Sequence, residues 1–150
     1  MGIYISRDDL LASDASLVWN MAINKETGEL DNDKIDTAID DADAEINSIL
    51  AKRYTLPLVF SSSMPRPLHR AAVSISFYWL SERDNQITDL IQKRYDDAIK
   101  ILKEFASGAR DLELADDGDA TTTTETDNGK LIIVSENERL FTRKKLAGVL

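Results

Sequence analysis

"DNDKIDTAIDDADAEINSILAKRY", residues 31–54, decides the fold. Ile35, Ile39, Ala42, Ile46, Ile49 and Leu50 recur at the i, i+3, i+4 spacing of one buried helical stripe. Asp31, Asn32 or Asp33 can cap the start, where acids also suit the positive end of the helix dipole. Lys52 and Arg53 fall at the far end, where positive charge is favoured. A helix from Asp33 to Tyr54 would run about 33 Å, the width of a small domain, and is expected to be the longest element.

The flanking segments carry the same period. "TLPLVFSSSMPRP" (55–67) interrupts it with prolines and serines and reads as a loop, with Pro67 placed to open the next helix. That helix, "PLHRAAVSISFYWLSE" (67–82), aligns Leu68, Ala72, Ile75 and Trp79, with Ala71 and Tyr78 widening the stripe. It is expected to be the most buried. In "ITDLIQKRYDDAIKILKEFASG" (87–108), Ile87, Leu90, Ile91, Tyr95, Ala98, Leu102 and Phe105 repeat before Gly108 supplies the stop. On the N-terminal side Ser6 can cap "RDDLLASDASLVWNMAI" (7–23), with Asp9 as a capping-box acid. Leu10, Leu11, Leu17, Val18 and Met21 would be its apolar face, and "NKETGELDN" a polar turn. The expected fold is mainly α: an antiparallel bundle of about four helices over residues 1–110.

Past Gly108 the character changes. "RDLELA" and "KLIIVSE" suit strands, separated by the low-complexity "DDGDATTTTETDNG". Residues 111–138 therefore read as an acidic, Thr-rich linker that either closes as a short β-hairpin or stays an extended C-terminal arm. A hairpin standing alone would be marginal in water. Residues 139–150, "RLFTRKKLAGVL", form a basic and apolar docking tail. From Asp111 to Asp127 there are seven acids and no base, whereas Arg139 to Lys145 holds four bases and no acid.

Composition narrows the function classes. The formal net charge of −9 argues against DNA or anionic lipid as the main partner, since both require clustered Lys and Arg. With no cysteine there are no disulfides, thiolate nucleophiles or zinc-thiolate sites, as suits a reducing cytoplasm. No apolar run reaches the ~18 residues of a membrane span, and the start does not read as a secretion signal. A single soluble domain is expected.

Few residues offer chemistry. Asp36, Asp40, Asp41, Asp43 and Glu45 lie mostly on one helix, across from its apolar stripe. Mg²⁺ or Ca²⁺ needs oxygen ligands converging from a loop or several elements, so a solvated or interface-lining face is the better reading. His69, alone beside Arg66 and Arg70, suits a surface or capping role. Ser61, Ser62 and Ser63 lack a nucleophile elbow and a histidine relay. The glycines are scattered, without a phosphate-binding loop. Trp19, Phe77, Tyr78 and Trp79 read as core. No catalysis, cofactor or metal is expected.

Taken in order, "AIDDADAEINSILAKRYTLPL" (38–58), "PRPLHRAAVSISFYWL" (65–80), "RYDDAIKILKEFASGARDL" (94–112) and "RLFTRKKLAGVL" (139–150) resemble the gene-product-36 family of Mu-like phages and prophages. "LASDASLVWN" (11–20) departs from the charged, Glu-rich stretch common there. The resemblance implies a virion structural protein, made in the host bacterial cytoplasm. Its helical layout is similar to phage head–tail connector proteins, also called adaptors or head-completion proteins. These form a ring, commonly of twelve copies, beneath the portal and offer a docking surface to the tail. The implied partners are other copies, the portal protein and a tail-completion protein, with DNA passing through without specific binding and no membrane contact. A tail-completion or terminator protein is the alternative within virion assembly. A small helical binding or regulatory module is the alternative of another class.

Within the connector reading, Arg139, Leu140, Phe141, Thr142, Arg143, Lys144, Lys145 and Leu146 are the candidate contacts to the portal or a neighbouring subunit. Thr142 can cap one helical turn, Phe141 and Leu146 would anchor it, and the bases would meet acidic rims. Asp36, Asp40 and Asp43, or the acidic 111–127 run, are the candidate channel lining, because a like-charged wall denies DNA adhesive contacts.

Overall fold

Ser6 starts the first helix of the computed structural model, which describes residues 2–115. Helix α1 spans Arg7–Ala22. The Ser6 hydroxyl accepts from the Asp9 amide at 3.3 Å, and the Ser6 amide donates to Asp9 Oδ2 at 2.7 Å, closing the expected capping box. Asp14 then interrupts the helix with an extended backbone (φ −159°, ψ 88°). Its carboxylate accepts from the Leu17 amide at 3.0 Å, so "LASDASLVWN" breaks and re-caps the helix inside one element. Leu10, Val18 and Met21 reach the core, while Leu11 and Leu17 are half-buried. Trp19 is 45% exposed, which corrects its reading as core: the restart at Asp14 resets the helical phase and turns it outward.

Helix α2 spans Asn32–Leu50, capped by Asp31 through the Lys34 amide at 3.1 Å. It ends earlier than expected. The Arg53 amide bonds to the Leu50 carbonyl at 3.1 Å, tightening the chain into a turn that leaves Lys52 and Arg53 beyond the helix. At 19 residues it equals α4 and is not the single longest element. Helix α3 spans Arg66–Glu82, with Pro67 in its first turn and no side-chain cap. It packs against all three other helices and carries the largest buried set, as its apolar pattern required. Helix α4 spans Asp89–Ser107, capped by Thr88 through the Ile91 amide at 3.3 Å and stopped by Gly108 at φ +83°. Because Thr88 is the cap, Ile87 lies outside the helix and Leu90 faces away in its first turn. Both are exposed, contrary to the expected stripe.

The described residues thus form the expected mainly α bundle of four helices. They contain no sheet, only isolated bridges between Ile23 and Leu30 and between Phe60 and Leu114. The "RDLELA" run finds its partner in the loop before α3. The Ala115 amide donates to Val59 O at 2.8 Å, and the Ser61 amide to Glu113 O at 3.3 Å. The other half of the expected hairpin, "KLIIVSE", lies outside the described residues.

Before α1, the extended Ile3–Ile5 segment covers α2. Tyr4 and Ile5 are buried, and the Tyr4 hydroxyl donates to Asn47 Oδ1 at 2.6 Å. Gly2 makes the close approach possible, since a Cβ there would fall 2.3 Å from Ile39 Cγ2 and 2.6 Å from Ile5 O.

Candidate functional site

The polar side of α2 is less uniform than its sequence. Asp40 is exposed, and Asp36, one turn earlier, is half-buried against the Arg7 guanidinium in a two-bonded ion pair. That pair holds the Asp36 carboxyl below its ordinary range. Asp41 pairs with Arg83 at 2.8 Å. Asp43 does not share this face. It is 5% exposed beneath the N-terminal segment, where its carboxylate accepts from the Ile3 and Tyr4 amides. Burial pushes the Asp43 carboxyl up, opposed by those amide bonds and assisted by the charge of Asp40. The expected solvated row of Asp36, Asp40 and Asp43 is therefore reduced to Asp36 and Asp40. Among the described residues no group of three or more acids, histidines or cysteines is arranged to hold a metal ion.

Glu45 was also grouped with the solvated acids, and it instead joins three helices. Trp79 Nε1 donates to Glu45 Oε2 at 2.9 Å and the Tyr95 hydroxyl to Oε1 at 2.6 Å. Tyr78 stacks on Tyr95 with ring centroids 4.0 Å apart and meets Trp79 edge-on at 5.8 Å. Burial and the Glu45 carboxylate raise the Tyr95 phenol. Phe77 is buried as expected, but Tyr78 and Trp79 are half-buried rather than core. The Trp79 indole N–H and the Tyr95 hydroxyl need a partner at the core's edge, and Glu45, beside the buried Ile46, supplies it. His69 sits half-exposed with Nε2 3.5 Å from Asp9 Oδ1, a surface contact between α3 and α1.

Between α3 and α4 lies a groove of about 430 Å³ with Arg66, Arg70, Arg94 and Arg110 on its walls. Periodicity could not reveal it, because the α3 and α4 contributors are separated in the chain and meet only when the helices pack. The tail residues Arg139, Leu140, Phe141, Thr142, Arg143, Lys144, Lys145 and Leu146 lie outside the described residues.

The bundle's sequence is matched by the family model described as bacteriophage Mu, Gp36, over residues 4–130. The chain belongs to the bacteriophage Mu Gp36 family. It is 34% identical to the Mu-like prophage FluMu protein gp36 of Haemophilus influenzae over 133 residues, covering 88% of this chain and 89% of that protein. It is 27% identical to gene product J of Escherichia phage Mu over 118 residues, covering 79% and 77%. The Gp36 match takes in all four helices and stops before Arg139. No helix among the described residues is long and apolar enough to cross a membrane.

Proposed function

We propose that this Gp36-family chain is a virion structural protein: a head–tail connector subunit, forming a ring between portal and tail. The observation that carries the reading is the family match over residues 4–130, which spans the whole helical bundle. The step from that bundle to a connector is an analogy of layout, with the site chemistry as its check. In this role the chain is not catalytic and needs no cofactor. It supplies shape, charge and sticky surface.

The basic-apolar tail (139–150) is the docking element of the proposal. Phe141 and Leu146 anchor it, and Arg139, Arg143, Lys144 and Lys145 set its register against an acidic rim. Repeated around a ring, weak tails gain strength through effective concentration. Asp36 and Asp40 remain candidates for the channel wall, and Asp43 drops out because it is buried.

Deleting residues 139–150 tests the reading. The truncated chain should fold, while DNA-filled heads should lose it, leak DNA or fail to join tails. Infectious particles at normal yield from the truncated protein would refute the tail's role. A cryo-EM map of the head–tail joint in which this chain has no density would refute the connector itself.

A further inference from the structure

The arginines of the bundle fall into two groups. Arg7, Arg53 and Arg83 each pair with a carboxylate, on Asp36, Asp111 and Asp41. Arg66, Arg70, Arg94 and Arg110 instead face the groove between α3 and α4. Arg110 contacts Glu104 at 2.6 Å, whereas Arg66, Arg70 and Arg94 make no ion pair among the described residues. In a chain of net charge −9, three of the four groove arginines are thus left without a carboxylate partner among the described residues. Arg66 and Arg70 are four residues apart on α3, so they stack along the groove one turn from each other.

We infer that this groove binds a short carboxylate-rich segment of a partner protein. Guanidinium forks match carboxylates two bonds at a time, and spaced arginines select carboxylates spaced along one segment. The groove is not wholly polar: Ala71, Ala98 and Ile101 contribute apolar surface that suits small side chains between the acids. A volume of about 430 Å³ is that of a ligand-sized cleft rather than a single-ion niche. Nucleic acid fits less well. Asp97 in the wall opposes any anion alike, but a short segment meets only the groove, whereas a long phosphate chain also meets the field of a molecule of net charge −9. The inference needs no connector ring, so the two stand or fall separately.

The test uses the full chain and a fluorescent peptide alternating Glu and Ala, followed by anisotropy at low and physiological salt. Binding should weaken with salt, and the double variant Arg70→Ala/Arg94→Ala should lose roughly tenfold or more in affinity. Both residues are exposed, and circular dichroism and thermal unfolding should match the parent. Arg83→Ala, away from the groove, should bind as the parent does. Neutralising Arg139, Arg143, Lys144 and Lys145 should leave peptide affinity within about twofold, which separates the groove from the basic tail. The inference is overturned if the peptide does not bind, or if the double variant binds it like the parent. It is equally overturned if tail neutralisation abolishes binding, or if single-stranded DNA or inorganic phosphate competes more strongly than an unlabelled Glu/Ala peptide.

Discussion

Ser76 is fully buried in α3, and among the described residues its hydroxyl is the buried side-chain group with no hydrogen-bond partner. A buried hydroxyl gives up water and recovers nothing, a cost of about 1–3 kcal/mol. Ser76→Ala deletes that polar atom and leaves a void only one oxygen wide. It should raise stability by about 1 kcal/mol, read as a higher urea midpoint at unchanged slope. Gly108 makes the opposite case. Its φ of +83° lies where a Cβ is strained, and an added Cβ would stand 2.5 Å from Arg53 Nη1. Arg53 is exposed and can move, so the backbone term dominates. Gly108→Ala should lower stability by about 1 kcal/mol in the same assay.

At the scale of elements, the start of α1 was legible because its capping box is local, Ser6 and Asp9 lying three residues apart. The sequence leaves α2's cap open among Asp31, Asn32 and Asp33, periodicity passes over the Thr88 cap of α4 for Ile87, and α3 has no side-chain cap. Ser6→Ala should cost about 1 kcal/mol and move the Asp9 carboxyl only part of the way toward its ordinary value in an NMR titration, because the Ser6 amide bond, the larger cause of its lowering, is kept and only the hydroxyl bond is lost. An unmoved Asp9 would show that the Ser6 hydroxyl contributes nothing to the lowering. What periodicity misread came from contacts made across the chain. Asp43 was grouped with α2's polar side, but it stands four residues after Ile39 and three before Ile46, at the edge of the apolar stripe, and the N-terminal Ile3–Tyr4 segment folds over it. Glu45 was read as solvated because nothing near it announces Trp79 and Tyr95. Removing it strands two donors, so Glu45→Ala should destabilise by about 2 kcal/mol. The stripe itself was read correctly: Ile46 and Ile75 are fully buried, and Ile46→Asp should abolish the cooperative helical unfolding transition.

The whole molecule combines a net charge of −9 with carboxylates tuned in opposite directions, and this sets how its stability responds to acid. Asp9 and Asp36 have folded pKa values below the ordinary 3.8, through Ser6 and Arg7 respectively. Their contribution is present above the unfolded value and lost as pH falls through the folded one. Both are only partly buried, so solvent screening keeps that loss small. Asp43 is raised by burial, so the folded state binds its proton more readily than the unfolded chain. Its contribution is full below 3.8 and lost as pH rises through the folded value. Protonation of surface carboxylates relieves self-repulsion only as pH nears their ordinary range of about 4. Stability should therefore rise as pH falls through the raised folded value of Asp43, and Asp9 and Asp36 should withdraw their contribution as pH falls below 3.8 toward their lowered folded values. Urea unfolding followed by tryptophan fluorescence from neutral pH down through those values checks it. In Asp43→Asn the titrating proton is gone, so the rise toward mild acid should flatten while the fall at low pH stays. A variant whose profile overlays the parent's would mean that Asp43 contributes nothing to the rise and that surface repulsion alone produces it.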